Sequence, residues 1–212
     1  MAYDLEEQEQ LDELRAFWNR YGNFILTLIT VVALSVAGWR AWEWWQQRQA
    51  MQAAGVYAQL QQAAQASDAA KARGAATELL DKYSGTAYAP MGALVAAKLQ
   101  VDAGDAKAAE PLLAWVVDKG KDDGLRPIAR LRLAGLMLDQ KRIDEGLKVL
   151  SETPPERFVP LFADRRGDLL IAQDKRDDAR AAYKEAFDRL PEGDPMREVV
   201  RLKLDALGGA AA

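Results

Sequence analysis

Charged and apolar positions divide the chain into two regimes. Between Arg20 and Arg40 lie 19 consecutive residues without a formal charge, YGNFILTLITVVALSVAGW, and residues 24–37 are apolar except for Thr27, Thr30 and Ser35. A helix of that length, at ~1.5 Å per residue, spans roughly 28 Å, about the hydrocarbon thickness of a bilayer. This pattern predicts one membrane-spanning helix over 21–39. Beyond it charges return, and apolar and small positions recur at helical spacing between breaks at YSGT, AGD, GKDDG, DQK, ETPPE, AQDK and PEGDP. The breaks predict a connecting helix over 40–66 and short helices from residue 67 to the end.

The short helices repeat. AKLQVDAGDAKAAEPLL from Ala97, AGLMLDQKRIDEGLKVL from Ala134 and GDLLIAQDKRDDARAAY from Gly167 each begin with a small residue and turn seven residues later, at Gly104, Lys141 and Asp174. Five residues past each turn comes another small residue, Ala109, Gly146 or Ala179, followed four later by Leu113, Leu150 or Tyr183. Small residues in the middle of both helices let the members of a hairpin approach closely, and the bulky residue one turn on fills space against a neighbour. The starts are 37 and 33 residues apart, which brackets a 34-residue helix-turn-helix period. An earlier pair over about 46–83 follows from length and helix breaks, and Pro195 predicts a terminal capping helix over 195–207 that ends at Gly208 and Gly209.

Aromatic residues flank the apolar run. Trp18 and Tyr21 stand at one end and Trp39, Trp42 and Trp45 at the other, with Arg40 among them. Such placement fits interfacial belts, where an apolar ring meets headgroups and a polar edge finds water, and Arg40 can direct its guanidinium to the same level. Trp44 lies off the three-residue spacing. Three competitors remain. SVA at 35–37 suits a signal-peptide cleavage site, but the segment before the run is long and acidic rather than short and basic. Aromatic packing in a soluble core would also use these side chains, and a helix lying on the membrane would need a charged face that the run lacks. Arg15 and Arg20 before the span balance Arg40 and Arg48 after it, so charge does not set orientation.

Composition sharpens this picture mainly by exclusion. Ala, Leu, Gln and charged residues dominate, a helix-forming mixture that predicts an all-α chain. A net charge of −4 without a basic stripe argues against nucleic acid as a partner. With no Cys and no His, thiolate and imidazole chemistry and the usual zinc ligands are missing, and no phosphate-binding loop or nucleophile motif is present. Asp122 with Asp123 and Asp177 with Asp178 read as helix caps and dipole partners; KDDG is too short for a calcium loop. The expectation is no enzyme, no cofactor and no metal. Stacked hairpins instead offer a concave surface for peptides. On the turn alignment the first helices aim Met91, Leu94 and Lys98, then Ile128 and Leu131, then Leu161, Asp164 and Asp168 toward that groove.

The third unit, GDLLIAQDKRDDARAAYKEAFDRLPEGD, resembles the tetratricopeptide repeat family, with Ala179, Tyr183, Ala186 and Pro191 at its small, aromatic, small and proline positions. Val116 and Thr153 depart from the second alanine, and Pro111 lies inside a helix. Asn occurs only at Asn19 and Asn23, so the Lys/Asn carboxylate clamp of chaperone-docking members cannot be assembled. The fold class expected is therefore a single transmembrane helix followed by a right-handed tetratricopeptide-like α-solenoid. Over nearly the whole chain, through LRAFWNRYG, GWRAWEWW, residues 86–138 and RRGDLLIAQDKRDDARAAYKEA, the sequence resembles the bacterial ancillary SecYEG translocon subunits, the YfgM-like family. That resemblance implies an inner-membrane protein with a cytoplasmic N-terminus over 1–20 and a periplasmic repeat domain. It implies as partners the lipid bilayer, the SecYEG translocon, the periplasmic chaperone PpiD and newly translocated polypeptides. A scaffold for envelope assembly or cell division, an architecture shared with a tetratricopeptide protein of division coordination, is the alternative. A topology reporter fused after Ala212 is expected to be active on the periplasmic side; cytoplasmic activity would reverse the orientation.

Overall fold

At four helix-to-helix turns the backbone is left-handed: Ser67 at φ 53°, Gly104 at 79°, Lys141 at 62° and Asp174 at 58°. Three of these are the turn positions that the repeat alignment selects, and Ser67 supplies the earlier fourth. At each, the residue after the turn donates its N–H to the carbonyl five positions back: Asp68 to Ala63 at 2.9 Å, Asp105 to Gln100 at 2.8 Å, Arg142 to Met137 at 2.8 Å and Lys175 to Leu170 at 3.0 Å. This is the Schellman closure, which satisfies carbonyls that a helix end leaves free. The same local chemistry thus builds four hairpins.

The computed structural model describes residues 2–120 and 122–208, with side chains from Gln10; Lys121 of the KDDG turn and Gly209, expected to help close the last helix, lie outside the described residues. All regular structure among the described residues is helical. Helix α1 runs from Ala2 to Gln65. The hairpins that follow are α1 with α2 (Ala69–Lys82), α3 (Tyr88–Asp102) with α4 (Ala106–Lys119), α5 (Leu125–Asp139) with α6 (Ile143–Val149), and α7 (Val159–Ala172) with α8 (Arg176–Arg189); α9 (Pro195–Ala206) packs on α8. Pro195 occupies the first turn of α9, whose N-cap Asp194 accepts from Met196 N at 2.8 Å.

The chain forms two units, 1–51 and 52–212. In the first, none of the most apolar 18-residue window is buried. Its Thr27, Thr30 and Ser35 hydroxyls donate to the carbonyls of Asn23, Leu26 and Val31 at 2.7–2.8 Å, so these three hydroxyls are satisfied within the helix. That suits lipid, where no water can replace a missing partner. In the second unit, Ala53, Val56, Leu60 and Ala63 of α1 enter a core with Ala72, Ala76 and Leu79 of α2 and with Ala89, Ala93 and Leu94 of α3. The connecting helix expected over 40–66 therefore contributes its C-terminal turns to the repeat core.

Close contact at small residues makes the hairpins. A Cβ on Gly167 would collide with the Tyr183 ring of α8, its Cδ1 being 2.6 Å away. One on Gly146 would lie 2.8 Å from Leu169 and 3.4 Å from the Ala134 carbonyl, so the two small positions aligned in the second repeat do meet. Ala97, Ala109, Ala134 and Ala179 are all buried. The core accordingly runs in segments along the array, with Ala134, Leu150, Phe162 and Leu169 in one, and Ala163, Ala179, Tyr183, Val200 and Leu204 in the next.

Arginines finish what the turns leave open. Arg126 Nε donates to Val117 O of α4 at 2.9 Å, Arg130 Nε to Val149 O at 2.7 Å, and Arg197 Nη1 to Phe187 O and Leu190 O of the α8 terminus at 2.9 and 2.6 Å. Each guanidinium meets carbonyls at the negative end of a helix dipole. Arg130 is buried, donates also to Glu152 O at 2.9 Å and lies 5.1 Å over the Phe162 ring. It replaces the packing that α6 lacks: Pro154 and Pro155 follow so closely that Thr153 falls outside the helix.

Substituting Gly167→Val is expected to lower unfolding stability by about 1–3 kcal/mol through overpacking against Tyr183. Gly74→Ala, on the open face of α2 with nothing within 4 Å, is expected to raise it by roughly 0.5–1 kcal/mol. Circular dichroism of the full chain in mild detergent measures both.

Candidate functional site

The first helices α3, α5 and α7 are neighbours in space. Where they meet, a cleft of about 330 Å³ opens between Lys98 and Val101 of α3, Leu131, Arg132 and Gly135 of α5, and Arg165 of α7. Gly135 keeps it open by having no side chain; a Cβ there would stand 3.6 Å from the Arg165 guanidinium. Leu113 and Leu136 form apolar floor. Lys98 reaches Asp102 at 2.5 Å, and Arg132 Nη1 donates to Leu94 O at 3.0 Å, tying α5 to α3. With Asp102 and Asp139 also present, three cations face two carboxylates, a lining of mixed polarity with a slight positive excess. Arg165 has spare capacity: its Nε is buried without a partner, and its one ion pair, to Asp168, is 3.5 Å long.

The eight residues expected to aim at the groove separate into four groups. Lys98 and Leu131 line the cleft. Met91 is 36% exposed at the start of α3, while Ile128 and Leu161 are half-buried and do not line it. Leu94 is buried core at 6% exposure, so a helix-face argument misassigns it: α5 covers the side of α3 that carries it. Asp164 and Asp168 are held by α8 and α9. Lys203 of α9 lies 2.7 Å from a carboxylate oxygen of each, and Tyr183 donates to Asp168 at 2.8 Å. These acids fasten the capping helix to the array.

The electrostatics of that fastening are unequal. Burial pushes the Asp164 carboxyl above the usual carboxylate range, against the pull of Lys203, and pushes the Tyr183 hydroxyl up with help from Asp168. Elsewhere carboxylates cap helices. Asp122 Oδ1 accepts from Leu125 N at 2.8 Å and Gly124 N at 2.7 Å, and Asp68 Oδ1 from Lys71 N at 3.0 Å; these backbone donors hold both carboxyls below their ordinary value. Asp177 and Asp178 lie in the first turn of α8, which has no side-chain cap, and there oppose its dipole. Among the described residues no group of three or more carboxylates is placed to hold a metal ion.

Arg130, Arg132, Arg165 and Lys203 escaped the sequence reading. The signal for the first two was available: LRPIARLRLAGLML puts arginines four and six residues apart within an otherwise apolar helix. A cation there must find acceptors on a neighbour.

The other site lies in the first unit. Trp18, Tyr21, Trp39, Arg40, Trp42 and Trp45 are all exposed on α1, two at one end of the apolar run and four at the other. From Tyr21 to Trp39 the helix advances roughly 27 Å. Trp42 and Trp45 are in ring contact at 5.4 Å, whereas Trp44 belongs elsewhere, with the Arg48 guanidinium 5.2 Å over its ring.

Comparison with known proteins covers both units. The tetratricopeptide repeat-like domain family matches residues 15–209. The ancillary SecYEG translocon subunit of Neisseria gonorrhoeae is 32% identical over 98% of this chain and 100% of its own length. Proteins of the same description from Aggregatibacter actinomycetemcomitans and Haemophilus influenzae are 25% and 28% identical; they cover 98% and 88% of this chain and 100% and 91% of their own. No solved structure matches the chain.

Lys203→Met is expected to cost about 2–4 kcal/mol at neutral pH, because it leaves the buried Asp164 charge unpaired. The folded-state pKa of Asp164 is raised, so its protonated form favours the fold, and the deficit should shrink as pH falls through that raised value. The caps have the opposite sign: stability from Asp68 and Asp122 is present above the unfolded carboxylate pKa and is lost as pH falls below it. Asp68→Asn with Asp122→Asn should therefore flatten the acid limb of a stability–pH profile, as read by thermal unfolding.

Proposed function

The chain belongs to the family of ancillary SecYEG translocon subunits, with their tetratricopeptide repeat-like domain, and from that premise we propose that it is a membrane-anchored binding module at the translocon. It is held in the inner membrane by the span at 21–39, with residues 1–20 in the cytoplasm and the repeat domain over 67–212, joined by 40–66, in the periplasm. The translocon, the chaperone PpiD and emerging polypeptides are its proposed partners, and handover of translocated chains is its proposed task. The observation that carries this reading is the full-length similarity to the Neisseria protein, which takes in the apolar span as well as the repeats.

The cleft supplies a mechanism. At about 330 Å³ it is near the lower end of ligand-site volumes, enough for a side chain or two of an extended segment. Val101, 43% exposed, and Leu131 offer apolar contact, while Lys98, Arg132 and Arg165 can meet peptide carbonyls or acidic side chains. Such contacts are weak singly. A membrane anchor confines the repeat domain near the channel exit, and effective concentrations in the millimolar range, typical of short tethers, make weak binding productive. A site that must release each client benefits from that arrangement, because affinity comes from proximity and not from a tight pocket.

In-cell photocrosslinking tests this. Probes at Lys98 and Leu131 are expected to capture a translocon component, PpiD or a secretory chain, and a probe at Asp188 on the outer helix α8 much less. Equal capture at the three positions would remove the cleft assignment. Co-isolation of division proteins without translocon subunits would favour the scaffold.

A further inference from the structure

Trp44 breaks the aromatic spacing for a reason that the helix makes plain. Trp39, Trp42 and Trp45 lie on one side of α1, while Arg40, Trp44 and Arg48 recur at every fourth position and so share another. On that second face the Arg48 guanidinium lies 5.2 Å from the Trp44 ring centroid. Arg48 therefore turns back along the helix toward the span, the direction in which helical side chains lean. Arg40 stands one turn on the other side of the same indole. Both arginines are exposed, and among the described residues no carboxylate lies within 4.0 Å of either guanidinium; Glu43, three residues past Arg40 on the adjoining face, forms no ion pair.

We propose that Arg40, Trp44 and Arg48 form a binding face for the phosphate of an anionic phospholipid headgroup at the end of the membrane span. The argument rests on three features of the face. It continues the apolar segment, whose most hydrophobic window is wholly unburied, so it stands at headgroup level. It presents two guanidiniums, each able to make paired hydrogen bonds to phosphate oxygens. Stacking on the indole holds Arg48 in position and sheds part of its hydration, which lowers the cost of ordering it around a ligand. Trp39, Trp42 and Trp45 provide the unselective aromatic belt on the other side; the 40/44/48 face discriminates by charge. The proposal rests on the reading of 21–39 as a span, and retention of the protein in neutral vesicles tests that reading separately.

The test uses the full-length protein purified in mild detergent and offered an equimolar mixture of phosphatidylglycerol and phosphatidylcholine, with bound lipid counted by native mass spectrometry. The wild type is expected to retain phosphatidylglycerol preferentially. Each basic side chain near an anionic lipid surface contributes on the order of a fivefold gain, so Arg40→Gln with Arg48→Gln should reduce the preference roughly 25-fold. Trp44→Leu should reduce it less, and Arg48→Lys less still. Arg15→Gln with Arg20→Gln, at the other end of the span, should reduce it less than the Arg40 and Arg48 pair does, because Arg15 is already paired with Asp12 at 3.5 Å. Inorganic phosphate at millimolar concentration should not displace the lipid; displacement would assign the face to free phosphate and overturn the proposal. An unchanged preference in the Arg40 and Arg48 double variant, or no preference in the wild type, would overturn it as well. The thermal transition of the repeat unit should be the same in every variant.

Discussion

The array depends on how closely two helix backbones can approach, and small residues set that distance. Gly167 admits the Tyr183 ring where any Cβ would collide, and Gly146 lets α6 settle against the Ala134 backbone and Leu169. Gly92 does the same for α3, where a Cβ would stand 2.5 Å from Leu79 and 3.2 Å from Leu60. Glycine inside a helix has a conformational cost of roughly 0.5–1 kcal/mol relative to alanine. Here the contacts that its missing side chain permits offset that cost. Every later feature, including the cleft and the docking of α9, follows from hairpins held at this spacing.

Closely packed hairpins create a second requirement, because each helix end must find partners for its carbonyls. The left-handed turns meet part of it and the arginines another. Guanidiniums suit this role better than ammonium groups, since one planar fork can serve two carbonyls, as Arg197 does on α8 and Arg130 on Val149 and Glu152. Burial pulls the Arg130 pKa below the ordinary arginine value, with Glu152 opposing, yet an arginine remains charged under any ordinary condition. The third hairpin, with its short α6, is where this substitution of polar fastening for helix packing is most visible.

Two solvents shape the two units, and the polar groups show it. Hydroxyls bond back to their own helix in both units, as Thr27, Thr30 and Ser35 do in the first and Thr77 does to Arg73 O at 3.0 Å in the second, but only in the second do polar side chains also bridge different helices, as Gln100 does to Ala69 O at 2.5 Å. A lone helix in lipid has no neighbour to satisfy it and so must be self-sufficient. A repeat array gains by spending polar groups between elements, where they fix register that small apolar residues leave loose.

Elements that depend on neighbours in the chain were legible from residues alone. The apolar run, the turns at Gly104, Lys141 and Asp174, the small positions at Ala97, Ala134 and Gly167, and the cap role of Asp122 all follow from local pattern, because helix periodicity and turn geometry act over a few residues. The groove was legible only in outline: Lys98 and Leu131 reach it, but Leu94 is buried and Asp164 and Asp168 are claimed by Lys203, which lies 39 and 35 residues away in the chain. Which face of α7 is free depends on where α9 docks, and no local pattern reports that. Sequence alone determined the helices, their breaks and their pairing, since these are set by spacing. Tertiary structure decided which polar side chains are spent in holding helices together and which remain for a partner, since that choice is made between residues brought together only by folding.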